Sequence, residues 1–268
     1  MTAFSAERQA AEAIARHAGH HILEERRRQL DISLKAHNDL VTNVDRSAEK
    51  LIVRLIGDAF GDDQIVGEEF GTSQSSREGS SRQWLIDPID GTLNFAHGIP
   101  SYCVSIAFQQ DDHTQACAIY DPNRDELFSA ARGGGAHLNA SPIEVSPLDD
   151  LAASVLVTGF PLGDTPAFEA TMRQFNALTR ACRGIRRLGS AAIDLAYVAA
   201  GRLDAFWEYS LKPWDTAAGY LLVEEAGGTV TQITDDPFQI DSPSIVASNS
   251  GVHADLLDVL QSHHGDPS

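Results

Sequence analysis

Trp84-Leu85-Ile86-Asp87-Pro88-Ile89-Asp90-Gly91-Thr92-Leu93-Asn94-Phe95 decides the fold, because an apolar run ends there in two carboxylates, a glycine and a hydroxyl. Trp84, Leu85 and Ile86 predict a short buried strand. Pro88 has no amide to give to a sheet ladder, so the strand is expected to stop at Asp87 and leave that carboxylate at the sheet edge, facing a cleft. Asp90 follows three residues later across a tight turn, which lets both carboxylates converge. Gly91 permits close backbone approach and Thr92 supplies a hydroxyl. Convergent carboxylate oxygens suit a hard cation, and a helix starting near Gly91 would offer free amides to an anion such as phosphate. A cation beside a phosphate points to phosphoryl chemistry. The same residues also fit a plain turn, since Asp-Pro and Asp-Gly pairs commonly cap one.

Upstream, Ser5 to about Leu30 has a helical pattern, with Ser5 as candidate cap and Ala10, Ile14, Ala18 and Ile22 near one face. A second helix is expected from near Thr42 to Phe60. Thr42-Asn43-Val44-Asp45 opens it as a capping box with Asp in place of the usual Glu. Gln64-Ile65-Val66 is β-prone and runs into Gly67-Glu68-Glu69. Adjacent residues of an extended chain face opposite sides, so only one of the two glutamates can enter a cleft. Thr72 to Ser81 is rich in Ser and reads as a loop.

Downstream, Tyr102–Gln109, Thr114–Tyr120 and Glu126–Ala131 predict an antiparallel meander. Gly133-Gly134-Gly135 lacks the spacing of a dinucleotide loop and reads as a turn before Ala136–Asn139. Ser-Pro pairs then place a domain boundary near residue 145. Residues 1–145 form an expected α+β lobe with an antiparallel sheet, and 146–268 an α/β lobe, because the second half alternates strand and helix. Strands are expected at Ser154–Thr158, at Ile185–Leu188, at Leu203–Tyr209, at Thr229–Thr231 and at Ser244–Ser248. Helices are expected at Thr165–Cys182, from Gly189-Ser190 to Gly201, at Thr216–Ala226 and at His253–Leu260. Asp215 could simply cap the third of these helices.

At 268 residues the chain is long enough for one large domain or two modest ones sharing a cleft. Hydrophobic content of 43% and charged content of 22% are those of an ordinary globular protein. No apolar run approaches a membrane span, and Met1 to Arg28 lacks a signal core, so a cytoplasmic protein is expected. Cys103, Cys117 and Cys182 have neither the number nor the spacing of a disulfide framework or zinc site, and read as buried thiols. The net charge of −18, with Lys35, Lys50 and Lys212 the only lysines, argues against direct nucleic-acid binding.

Asp87-Pro88-Ile89-Asp90-Gly91-Thr92 followed by Asn94-Phe95 resembles the first signature of the inositol monophosphatase family of metal-dependent phosphatases. Trp214-Asp215-Thr216-Ala217-Ala218-Gly219, with Glu225-Ala226-Gly227-Gly228 behind it, resembles the second, and Gly67-Glu68-Glu69 resembles a third motif. The resemblance implies a five-layer αβαβα sugar-phosphatase fold, Mg²⁺-dependent hydrolysis of a small phosphate monoester with two or three ions per site, lithium inhibition and a homodimer. It implies that Glu68, Asp87 and the Ile89 carbonyl hold one Mg²⁺, and Asp87, Asp90 and Asp215 a second. Glu69 would support that set from behind. Thr92, oriented by Asp45 in a segment that includes Asp39 to Thr42, would position the attacking water. Gly91 and Thr92 amides would hold phosphate, and Asp90, Arg186, Ala191 and Glu208 would meet the polyol. Glu208 fits equally well as a surface strand residue. Lys35 lies where some members carry a lysine near the site.

Asn94-Phe95 favours inositol 1-phosphate as substrate, since the branch acting on 3′-phosphoadenosine 5′-phosphate typically has Lys-Glu-Phe there. Fructose 1,6-bisphosphate and histidinol phosphate are rival substrates from further branches of the family. Some bacterial relatives also associate with transcription machinery, a role of a different class.

Overall fold

Trp84, Leu85 and Ile86 are all buried because both faces of their strand are covered. Trp84 and Ile86 point to one core cluster and Leu85 to another, as alternation along a strand requires. The computed structural model describes residues 3–36, 39–72, 81–161 and 163–264, and leaves out the side chains of residues 35, 36 and 39. The expected role of Lys35, most of the 72–81 loop and the Asp39 side chain lie outside the described residues.

In chain order the elements are α1 (Ser5–Glu25), β1 (Ile32–Ala36), β2 (Asp39–Thr42), α2 (Asn43–Ala59), β3 (Gln64–Gly67), β4 (Gly71–Thr72), β5 (Arg82–Asp90) and α3 (Thr92–His97). Strands β6 (Cys103–Gln110), β7 (His113–Asp121), β8 (Glu126–Ala131), β9 (Ala136–Leu138) and β10 (Ser141–Ile143) complete the first half. The second half runs β11 (Val155–Thr158), α4 (Pro166–Ala181), β12 (Gly184–Arg186), α5 (Ala191–Ala199), β13 (Ala205–Tyr209), α6 (Pro213–Glu225), β14 (Thr229–Thr231), β15 (Ser244–Ser248) and α7 (His253–Ser262).

Eight strands form one sheet in the order β10-β9-β8-β7-β6-β5-β3-β4, and five form another in the order β12-β11-β13-β15-β14; β1 and β2 make a separate hairpin. Helices α1 and α2 cover the outer face of the first sheet. Helices α5 and α6 lie between the sheets, and α4 and α7 cover the outside of the second. This is the five-layer αβαβα arrangement. The core cluster between the sheets joins Leu85, Ala107 and Ile119 to Ala192, Leu195, Leu221 and Phe206. Among the described residues no helix is long and apolar enough to cross a membrane.

Three expectations change. The strand does not stop at Asp87: β5 continues through Pro88 to Asp90. Its pairing with β6 passes from Asp87↔Ser105 to Asp90↔Cys103, so β5 carries one extra residue there, and Pro88 sits in a bulge that needs no ladder donor. Helix α1 ends at Glu25 rather than near Leu30, and its cap is Phe4 rather than Ser5. Helix α6 starts at Pro213, where the missing amide costs nothing, rather than at Thr216.

Candidate active site

The bulge in β5 aims its two acids differently from a regular strand. Asp87 is 2% exposed and accepts a hydrogen bond from the Ile89 amide (2.9 Å), which bends the chain so that Asp90 follows at the same end of the sheet. Gly91 then takes φ 98°, a left-handed conformation that glycine enters without penalty. A side chain there would press on the carbonyls of Ser101 and Gly189.

Asp90 is held from the other half of the chain. Its Oδ2 accepts from the Ser190 hydroxyl (2.7 Å) and the Ala192 amide (2.6 Å), both at the start of α5, and the Ala191 amide also faces it. Asn94 strengthens the same junction: its amide nitrogen lies 2.7 Å from the Ser101 carbonyl, 2.8 Å from that of Leu188 and 3.4 Å from that of Gly189. Ser105 reaches the Trp214 carbonyl (3.3 Å), tying β6 to the start of α6.

Asp215 does cap its helix, accepting from the Lys212 amide (2.7 Å). It also faces the acids of the first sheet: burial pushes its carboxyl up to about 8, with the charges of Asp90 and Glu68 adding to the effect. Asp90 is pushed up to about 6, chiefly by burial, with the Ser190 and Ala192 bonds opposing. Asp87 stands well above the usual carboxylate range because it is buried and faces Glu68, Asp90, Asp215 and Asp45. The structure therefore brings Glu68, Asp87, Asp90 and Asp215 into one electrostatic field. Glu68 rather than Glu69 supplies the glutamate of that field. The turn carrying it is fixed by Glu49 of α2, whose carboxylate accepts from the amides of Glu69 (2.8 Å) and Phe70 (2.9 Å).

The capping box at Thr42 forms as its sequence suggests: the Asp45 Oδ2 accepts from the Thr42 amide (2.9 Å) and hydroxyl (2.5 Å). The other oxygen, Oδ1, accepts from the Thr92 hydroxyl (2.9 Å), which also lies 3.0 Å from the Ile89 carbonyl. Cap and threonine are thus joined through one carboxylate, and burial holds that carboxyl above its ordinary range.

A cleft of about 780 Å³ opens beside Glu68, Glu208 and Asp215, with Lys212 at its wall. Glu208 is pushed up to about 8 by burial and by the charge of Asp215, with Arg187 opposing. Arg186 is not brought to this group: it is exposed on β12 and donates to the Ile185 carbonyl (3.2 Å). The arginine whose charge reaches Glu208 is its neighbour Arg187, and that charge also reaches Asp194. Asp194, buried on α5 with no partner for Oδ1 among the described residues, belongs to none of the motifs above; nor do Glu49 and Arg187. An acid inside the otherwise apolar run from Ala191 to Ala200 is the signal that marks Asp194.

Donor chemistry decides whether a divalent cation fits. The convergent groups are carboxylates and one carbonyl, all hard oxygens, and each carboxylate raises its neighbours, so a cation placed among them relieves the repulsion. Among the described residues no three of the His, Cys, Asp and Glu side chains are already closed into a ligating group. The acids share a field, and Asp87, Asp90 and Asp215 each keep one oxygen oriented by the backbone or by Ser190.

Residues 5–264 match the model of the inositol monophosphatase family. The Nus factor SuhB of Pasteurella multocida is 42% identical over 249 residues, 92% of each chain. Among solved structures, the extragenic suppressor protein suhB of Bartonella henselae superposes with a TM-score of 0.91 at 38% identity, covering 96% of this chain and 99% of that one. The inositol monophosphatase of Anabaena superposes with a TM-score of 0.87 at 37% identity over 98% of each chain. On these matches, the chain belongs to the inositol monophosphatase family of phosphatases.

Proposed function

We propose that the protein hydrolyses inositol 1-phosphate to inositol and phosphate, using Mg²⁺ held by Glu68, Asp87, the Ile89 carbonyl, Asp90 and Asp215. The observation that carries this reading is the electrostatic convergence of those acids from both halves of the chain, with Glu68 and Asp215 lining one cleft. When bound, the cations neutralise the acids, activate water and stabilise the leaving oxygen.

The chain's own residues supply the orientation. The Thr92 hydroxyl has one proton and gives it to Asp45 or to the Ile89 carbonyl, so towards the cleft it can only accept. A water hydrogen-bonded to it is therefore turned with its lone pair free for in-line attack. Helix α3 has only six residues, so the Gly91 and Thr92 amides act towards phosphate as hydrogen-bond donors rather than through a helix dipole. Glu208 and the Ala191 backbone face the alcohol side, and the charge of Arg187 rather than Arg186 reaches Glu208.

The test is a panel of phosphate monoesters assayed with Mg²⁺ and with lithium added, alongside Asp215→Asn. Turnover is expected to fall by orders of magnitude in the variant while the metal-free melting temperature holds or rises, because one like charge is gone and the Asn side-chain oxygen can still accept from the Lys212 amide. Near-normal activity in Asp215→Asn, or a strong preference for 3′-phosphoadenosine 5′-phosphate, fructose 1,6-bisphosphate or histidinol phosphate, overturns the respective assignment. A homodimer in the cytoplasm belongs to the same reading, and light scattering that finds only a 28.9 kDa species at micromolar concentration refutes the dimer.

The name of the Pasteurella relative, Nus factor, favours a second reading in which the protein also associates with transcription machinery. RNA polymerase subunits retained by immobilised, inactive Asp90→Asn protein would support it. The net charge of −18 favours a protein contact over direct binding to RNA.

A further inference from the structure

The cleft is lined by side chains of two chemistries. Glu68, Glu208, Asp215 and Lys212 are charged and Thr165 and Ser210 are polar; Phe160, Pro161, Ala167, Leu211 and Trp214 form an apolar wall beside them. Phe160 is held in place by an edge contact with Phe175, with ring centroids 5.7 Å apart. Apolar side chains lining a ligand cleft favour apolar groups on what binds there.

The volume, about 780 Å³, suits a ligand of drug size, well beyond a phosphorylated six-carbon polyol. A polyol carries hydroxyls on every face, and those turned to the Phe160 and Leu211 wall would lose water without gaining a partner. A compact polyol phosphate therefore gains little from the apolar wall. A phosphate monoester whose alcohol carries a ring or other apolar portion can meet the acids and the wall at once.

Resting on the phosphatase reading of this site, we propose that the wall of Phe160, Pro161, Ala167, Leu211 and Trp214 is a subsite for an apolar, preferably aromatic, portion of the substrate's alcohol. Esters with that portion form a second substrate class beside compact polyol phosphates. Burying one face of a ring on this wall is worth about tenfold in kcat/KM.

The test compares 2-phenylethyl phosphate with glycerol 1-phosphate. Both are esters of primary alcohols, so a difference between them reads the ring and not the leaving group's acidity. The full-length protein with Mg²⁺ is expected to prefer the phenylethyl ester about tenfold in kcat/KM. Phe160→Ala, which removes the ring partner, should reduce that ratio to near one. Ala167→Glu should do the same by setting a carboxylate against the ring, and it lies in the first turn of α4, where an acid does not harm the helix. Titration with 2-phenylethylphosphonate against methylphosphonate, followed by tryptophan fluorescence, gives the same comparison without turnover. Hydrolysis of glycerol 1-phosphate with a ratio near one, or a ratio that neither variant moves, overturns the subsite and leaves the phosphatase reading standing. Failure to release phosphate from any ester of the panel overturns that reading, and the subsite with it.

Discussion

Glu49 is the residue on which the position of Glu68 depends, and its removal separates a structural carboxylate from a catalytic one. Only 1% of Glu49 is exposed, and both its oxygens are used on the amides that follow Glu68 in sequence, at 2.8 and 2.9 Å. Gly67 belongs to the same arrangement, since a side chain there would occupy the space of the Glu49 carboxylate. Hydrogen bonds to a charged acceptor contribute about 1.5–3 kcal/mol each. Because Phe70 is half exposed and water can replace part of the loss, the low end applies, giving roughly 3 kcal/mol for the pair. In a chain of 268 residues that corresponds to a melting temperature lower by about 6–12 °C in Glu49→Ala. The turn then loosens and Glu68 loses its aim, so affinity for Mg²⁺ should fall by about 10- to 100-fold, as it does when a residue behind a ligand is lost. Glu49→Gln keeps one acceptor but sets an amino group against a backbone donor, and should lose about half the stability. Thermal melts in chelator and Mg²⁺ titrations of phosphate release measure the two effects separately. An Ala variant with unchanged melting temperature and unchanged Mg²⁺ dependence refutes the reasoning.

Three further outcomes follow from the same geometry. Asn94→Asp sets a carboxylate against the carbonyls of Ser101, Leu188 and Gly189, so it should detach the 188–190 turn from the β5 motif, lowering kcat by at least tenfold and stability by about 2–4 kcal/mol; turnover and melts check both. Asp194 is held well above the usual carboxylate range by burial, with Glu208 and Asp90 adding to it; a raised folded-state value means stability that is present below the ordinary carboxylate range and is lost as pH rises through the folded value. Asp194→Asn should therefore melt higher than the parent at pH 8, by about 1–2 kcal/mol, and the gap should close towards pH 4; a constant gap in melts across that range refutes the assignment. Glu225, the last residue of α6, accepts from the amides of Gly133 (2.8 Å), Gly134 (3.1 Å) and Gly135 (2.8 Å), so Glu225→Ala should cost about 2–3 kcal/mol in melts while phosphate release at saturating Mg²⁺ stays within about threefold, because this latch lies away from the cleft.

Most element positions were legible because they depend on neighbours in sequence. The period of Ala18 and Ile22 on α1, the cap at Thr42 and the apolar run of β5 each act over a few residues. The end of β5 was misplaced for a physical reason: Pro88 forbids a regular ladder, but a bulge satisfies the same restriction without ending the strand. Asp215 caps α6 with one oxygen while the group also faces the acids of the first sheet, so the cap does not use up the carboxylate.

The sequence by itself determined that Asp87 and Asp90, around a proline and a glycine, carry oxygens that can converge; for Glu68 against Glu69, and for Asp215 against a plain helix cap, local spacing left the choice open and the resemblance to the family's motifs supplied it. Only the tertiary structure decided what aims them. Ser190 reaches Asp90 across 100 positions, Asn94 reaches Leu188 across 94, and Glu49 reaches the turn of Glu68 across 20, contacts created by sheet order and invisible to any local period. It also shows that the charge of Arg187 is the one felt by Glu208 and Asp194, while Arg186 is exposed and bonded to the Ile185 carbonyl, a difference between neighbours that sequence alone does not reveal. The perturbed acids belong to the same class, since their shifts arise from burial and from charges that meet only after the two sheets close on α5 and α6.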